Sequence, residues 1–155
     1  MSKAPRLAFA VMLAGLMTTG CERWPFNEHG KGKSSLNRSL DADEVSRGES
    51  TYKKHCLKCH GEEGSGQVLD WRIRDADGHL PPPPLNDTGR TSHYPTAVLI
   101  EIIQDGSPAG QGKMPAWKGK LSEQEMQDVL AYIKSLWSEP VYQLWRNMER
   151  HSLEG

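Results

Sequence analysis

The chain has 155 residues, 19 Lys and Arg against 20 Asp and Glu, a formal net charge of −1, and 36% hydrophobic residues. That length is one domain's worth of chain, and the balanced charge, with no long basic run, excludes a protein that grips nucleic acid through an electrostatic footprint. The 15 Gly and 10 Pro describe a small, loop-rich fold with little apolar material for a core of its own.

Residues 1–20 read as an export signal. Lys3 and Arg6 give a positive start, and Leu7–Met17 is an apolar run too short to span a bilayer comfortably. Thr18-Thr19-Gly20-Cys21 follows, and small residues with Gly directly before Cys resemble the lipobox of bacterial lipoproteins. Thr18 stands where that family usually has Leu. The resemblance implies cleavage before Cys21 and a lipid on it; ordinary cleavage and an uncleaved anchor are the alternatives. All three place the remainder outside the cytoplasmic membrane. More than one acyl chain, at about 0.8 kcal/mol per buried CH₂, would make the anchor stable. Residues 21–40, rich in Gly, Lys, Ser and Asn, read as a flexible tether. Trp24 and Phe26 there suit a membrane interface or are incidental aromatics.

A first helix is expected from Asp41 to about His55. Asp41 is an N-cap, Glu44 stands at N3, and Leu40 and Val45 occupy the staple positions. Val45, Gly48 and Tyr52 share one face. A Gly there costs roughly 1 kcal/mol of helix propensity, a cost that makes sense if another helix must come close. Cys56-Leu57-Lys58-Cys59-His60 then gives C-x-x-C-H, the signature of covalent haem attachment. The two thiols add across the haem vinyl groups, one helical turn spans the distance between them, and His60 is placed to ligate the iron. The plainer readings are a thioredoxin-like dithiol or half a zinc site. The first wants a βαβ pattern and the second more cysteines, and neither follows. The chain has three Cys, so one for lipid and two for haem leave no thiol for a disulfide.

Gly61, Gly64 and Gly66 suggest a tight turn leaving the histidine. They lack the preceding strand and following helix of a phosphate loop. Residues 67–80, with Trp71, Arg72 and Arg74, read as a loop or a short helix. Pro81–Pro84 is a stiff extended segment. A second helix is expected over Pro95–Asp105, with Pro95 at N1, Gly106 at C′ and Val98, Leu99, Ile102 and Ile103 on its apolar face. A Gly- and Pro-rich loop, 106–120, contains Lys113-Met114-Pro115. The strongest helix follows, from Glu123 to Trp137, with Ser122 and Glu125 as a capping box and Leu121 with Met126 as a staple. Beyond Pro140, residues 141–151 suit a short helix in a C-terminal extension, 138–155. No clear strand or internal repeat is visible.

Taken in order, the haem motif after a first helix, Met-Pro in a late Gly-rich loop and a terminal amphipathic helix resemble class I cytochromes c over about residues 41–137. The resemblance implies an all-α fold of three to five helices around one covalently bound haem. It implies that Gly48 and Tyr52 cross Val129 and Tyr132. It further implies that the carbonyl of Pro83, two before Leu85, accepts the Nδ1–H of His60, although four prolines leave that register ambiguous. Met114 becomes the distal ligand, its soft sulfur favouring ferrous iron. The plain role of a Met is gap-filling, but only Met114 of the mature chain's methionines sits in such a loop; His79 and His93 are the rival ligands.

The function implied is one-electron transfer by a haem c iron held between His60 and Met114, not enzymatic catalysis. The partners implied are a respiratory complex, an oxidase or a periplasmic oxidoreductase, with the membrane reached through the lipid on Cys21. Lys53, Lys54, Lys58, Lys113, Lys118 and Lys120 flank the two ligand segments. They would steer the protein to an acidic docking patch, or are ordinary solvated lysines. The alternatives in function are a haem enzyme or gas sensor with a labile sixth ligand, and a lipoprotein whose dithiol binds metal or exchanges disulfides.

Overall fold

A computed structural model describes residues 38–154. The signal segment, Cys21, Trp24 and Phe26 lie outside the described residues. Five α-helices make up the described part: α1 Ala42–His55, α2 Leu57–His60, α3 Thr96–Asp105, α4 Glu123–Ser135 and α5 Glu139–Glu154, with 3₁₀ turns at Glu62–Gly64 and Thr91–His93. The class is all-α, as the sequence implies. Among the described residues the only strand-like pairing is an isolated bridge between Lys118 and Leu121.

The ends of α1 and α4 are written in their caps. The Asp41 carboxylate accepts from the N–H groups of Asp43 and Glu44, and Ser122 and Glu125 close a reciprocal capping box. These two helices cross at Gly48, where a Cβ would lie 1.8 Å from the carbonyl oxygen of Asp128 and 3.0 Å from the Cβ of Tyr132. Only a residue without a side chain allows that approach. Beside the crossing, Arg47 donates to both oxygens of the buried Asp128 carboxylate, at 2.7 and 3.0 Å. That fork holds the carboxyl below the usual aspartate range. The Tyr52 and Tyr132 rings meet with centroids 5.0 Å apart. Tyr132 therefore meets both expected partners, Gly48 and Tyr52, while the backbone nearest Gly48 is that of Asp128 and Val129 shares the core cluster with Tyr52.

α3 starts one residue later than expected. Pro95 is its N-cap, in extended backbone, and Thr96 opens the helix. Pro95 offers no side-chain cap, and Glu149 of α5 supplies one by accepting from the Thr96 N–H at 2.8 Å. Leu99 and Ile103 face the core, while Ile102 stays exposed.

α5 is longer than the expected 141–151. Pro140 falls in its first turn, where a missing N–H costs no helical bond, and Arg38 pairs with Glu139 at 3.0 Å and covers the Tyr142 ring. Trp145 packs against Trp137 and Tyr142. The ammonium of the buried Lys134 donates to the Thr96 hydroxyl and lies 4.2 Å from the Trp145 ring centroid. Burial pushes that lysine below its ordinary value, with Glu149 opposing the shift. The core runs from Tyr52 through Leu99, Val129, Leu130 and Ile133 to Trp137, Tyr142 and Trp145.

Candidate haem-attachment site

α1 ends at His55, and after a break at Cys56 the chain turns once more as α2, which carries Cys59 and His60. The amides of Cys59 and His60 both donate to the Cys56 carbonyl, at 3.0 and 2.9 Å. The single helical turn expected for the motif is present. Cys56 is half-buried, Cys59 is exposed, and the two are free thiols. Burial, reinforced by the neighbouring Cys59, pushes the Cys56 thiol up to about 11. A dithiol exchange site needs the opposite shift, toward thiolate at neutral pH.

His60 is buried, and its Nδ1 lies 3.0 Å from the carbonyl oxygen of Pro83. Burial lowers its basicity and the Pro83 contact partly restores it, so the ring is neutral at pH 7. With the proton on Nδ1, Nε2 keeps its lone pair for a metal. Several contacts fix this geometry. The Tyr52 hydroxyl donates to the Gly61 carbonyl at 2.7 Å. The Gly66 N–H returns to the His60 carbonyl at 2.7 Å, and the Leu85 N–H bonds the Gly64 carbonyl at 2.7 Å. Gly64 has φ +67, and a Cβ on it would press on Leu85 and Leu136 at 3.1–3.2 Å. The indole N–H of Trp137 donates to the Leu85 carbonyl at 2.8 Å, tying the proline segment to the core. Of the four prolines, Pro83 is the one whose carbonyl reaches the histidine.

Met114 lies half-buried against the core cluster. Ser107 clamps its backbone: its N–H donates to the Met114 carbonyl at 3.0 Å, and its hydroxyl accepts from the Met114 N–H at 3.3 Å. The loop passes tightly over the end of α3. A Cβ on Gly106, at φ +74, would come within 2.5 Å of the Met114 carbonyl oxygen. The Trp117 N–H donates to the carbonyls of Ile103 and Gln104, and the Trp117 ring meets His55 edge-on at 5.0 Å.

The residues present fit a haem c. A motif on one helical turn offers two thiols, a buried imidazole is held with one nitrogen committed and the other free, and a thioether sits in a loop anchored on both sides. The rival ligands are placed otherwise. His93 is exposed in a 3₁₀ turn, and His79 closes a small loop with Asp75, whose carboxylate accepts its N–H at 2.8 Å.

Residues 67–80 form a loop, not a helix. Nothing in the hydrophobic pattern could have found its order, which comes from charged partners far away in the chain. Asp75, Asp77 and His79 bring their ligand atoms within 4.8 Å of one another, but the Lys113 ammonium already donates to both carboxylates, at 2.9 and 3.0 Å. The partnering also thins the expected lysine ring, since Lys53 pairs with Glu49 and Lys113 with Asp75 and Asp77.

A family model described as "Cytochrome C oxidase, cbb3-type, subunit III" matches residues 43–133. The chain is 29% identical over 103 residues to the cbb3-type cytochrome c oxidase subunit CcoP of an Azospirillum species, covering 66% of this chain and 32% of that protein. It is 25% identical over 132 residues to cytochrome c6 of a Synechocystis species, covering 85% and 89% of the two chains. It is 31% identical over 100 residues to a cytochrome c6-like protein of a Nostoc species, covering 64% and 78%. The chain spans about a third of the oxidase subunits' length, and most of the length of the cytochrome c6 relatives. No solved structure matches.

Proposed function

We propose that this chain, which belongs to the family of cbb3-type cytochrome c oxidase subunit III and so to the haem c electron carriers, passes single electrons in a membrane-associated respiratory or periplasmic chain. When bound, haem c supplies the one-electron Fe(III)/Fe(II) couple. Cys56 and Cys59 would hold it through two thioethers, and His60 and Met114 would ligate its iron. The Pro83 carbonyl keeps the His60 proton on Nδ1 and fixes the ring plane. Tyr52, through Gly61, fixes the turn on which that ring stands. Ser107 and Gly106 hold the backbone of Met114. With His60 and Met114 both committed to the iron, no position would remain for a substrate.

The observation that carries this reading is the buried His60 ring with Nδ1 on Pro83, directly after the two thiols. A haem stain on a denaturing gel and an optical spectrum of the purified protein test it. Covalent colour with a low-spin spectrum and the far-red sulfur–iron band is expected. A high-spin spectrum at neutral pH would favour an enzyme or sensor, and a colourless protein would remove the reading altogether.

The protein is exported and tethered to the membrane by a lipid on Cys21, with residues 21–40 as the arm, residues 41–137 as the cytochrome domain and residues 138–155 as its extension. Support comes from Lys3, Arg6, the apolar run and Gly20-Cys21. No helix among the described residues is long and apolar enough to cross a membrane. Mass spectrometry of Cys21→Ser against the parent checks the lipid: loss of the acyl mass and release to the soluble fraction are expected. The redox partner is a respiratory complex, an oxidase or a periplasmic oxidoreductase, met through a small, transient interface. Among the described residues, Lys53 and Lys113 are held in ion pairs and Lys54, Lys58, Lys118 and Lys120 form none, so steering rests chiefly on those four. Reduction by an acidic partner should slow with added salt.

A further inference from the structure

Residues 67–80 join the two halves of the site. At one end, the Gln67 side-chain amide donates to the Lys58 carbonyl at 2.9 Å, inside the attachment motif. At the other, the loop is stitched to the segment leading into Met114. One nitrogen of the Arg74 guanidinium donates to the carbonyls of Gly78, at 2.7 Å, and Gly110, at 3.0 Å, and another donates to the Gln111 side chain at 3.0 Å. The Leu80 N–H donates to the Gln111 carbonyl at 2.9 Å.

Asp75 is the hub. One carboxylate oxygen accepts the N–H groups of Asp77 and His79, at 3.0 and 2.8 Å, which shapes the loop. Its other oxygen accepts from Lys113, and Asp77 accepts from Lys113 as well. Lys113 is the residue immediately before Met114. The segment from 106 to 114 contains Gly106, Gly110 and Gly112, so it has little stiffness of its own. The Ser107–Met114 pair closes the segment from within, and the span between them, from Gly110 to Lys113, is gripped from outside.

We propose that Arg74, Asp75 and Asp77 are positioning residues that hold Lys113 and the 110–111 backbone, and so keep the Met114 thioether in place as the distal ligand. The inference rests on the reading of Met114 as a ligand. The brace governs how often that ligand lets go, not whether the domain folds, because its side chains lie at the surface, away from the core cluster. Lys113 is consequently committed to an internal pair and is not a docking lysine.

The test uses the haem-loaded full chain. The variants are Asp75→Asn with Asp77→Asn, Lys113→Gln, Lys113→Arg, and Met114→Ala as the ligand control. The readouts are the far-red sulfur–iron band, the rate at which the oxidised protein captures added cyanide, and the melting temperature. Exposed pairs are individually weak, so losing both should speed cyanide capture by about three- to tenfold. Lys113→Gln should do the same, Lys113→Arg should restore the parent rate, and the melting temperature should move little in all three. If the Asp75/Asp77 variant does not accumulate, Lys113→Gln makes the same cut from the other side. Parent capture rates in both variants, with Met114→Ala losing the band, overturn the brace and leave the ligand reading intact. A Met114→Ala protein that keeps the band overturns both.

Discussion

Gly48→Ala tests the helix crossing on which the site stands. The new Cβ would sit 1.8 Å from the Asp128 carbonyl oxygen and 2.4 Å from its carbon, where ordinary contact begins near 3.4 Å. The obstacle is backbone, so α1 must retreat from α4 by about 1.6 Å. A gap of that size forfeits much of the dispersion between facing side chains, here around the fully buried Tyr52 and Val129. Overpacking costs typically 1–3 kcal/mol, and an immovable neighbour places this one at the upper end. Alanine returns about 1 kcal/mol in helix propensity. The net loss is about 2 kcal/mol, which for a domain of this size lowers the melting temperature by roughly 8–16 °C. Thermal melts of the haem-loaded protein read this directly, with Ser46→Ala, exposed on the same helix, as the control that should not lose stability. A Gly48→Ala protein melting at or above the parent would refute the reasoning.

Tyr52→Phe leaves the Gly61 carbonyl without its partner in a buried setting, and should cost about 1–2 kcal/mol in urea unfolding without abolishing haem attachment. Acid stability follows from the carboxylates. Hydrogen bonds from Arg47 hold Asp128 below its ordinary value, and bonds from Ser122 do so for Glu125. The folded state therefore binds fewer protons than the unfolded one as the pH falls through the carboxylate range. Stability should be full at neutrality and decline below about pH 5, and Asp128→Asn should flatten that decline in melts taken across pH. Pro83→Ala keeps the backbone carbonyl that faces His60 and should leave the optical spectrum unchanged. Gly66→Val should perturb it, because a Cβ there, at φ +78, would press on Pro84 and the Pro82 carbonyl at 3.1–3.3 Å. The opposite pattern would show that His60 is not held through that carbonyl.

How far the fold could be read in advance depended on where each residue's partner lies. The starts of α1 and α4 are set within three residues, by the Asp41 carboxylate on the Asp43 and Glu44 amides and by Ser122 with Glu125, and such local signals are visible in the chain. So are the attachment motif and the Gly48 crossing, which a small residue on an apolar face announces. The start of α3 was less legible, because its cap is Glu149, 53 residues on. α5 outran its apolar pattern for a similar reason: Arg38, 101 residues back, holds its first turn. The 67–80 loop was opaque. Arg74 and Asp75 find their partners 36–38 residues downstream, and polar residues carry no periodicity that foretells a pairing. The lysine ring fared the same way, since charge can be counted from sequence but commitment to a carboxylate cannot.

The α1–α4 crossing joins segments made far apart in the order of synthesis. A chain made from its N-terminus presents Cys56 and Cys59 long before Glu123–Ser135 exists to cover Gly48 and Tyr52. During that interval α1 lacks the helix it packs against. The completed fold packs Cys56 against the core cluster and leaves Cys59 exposed, so the two sulfurs end with unequal access.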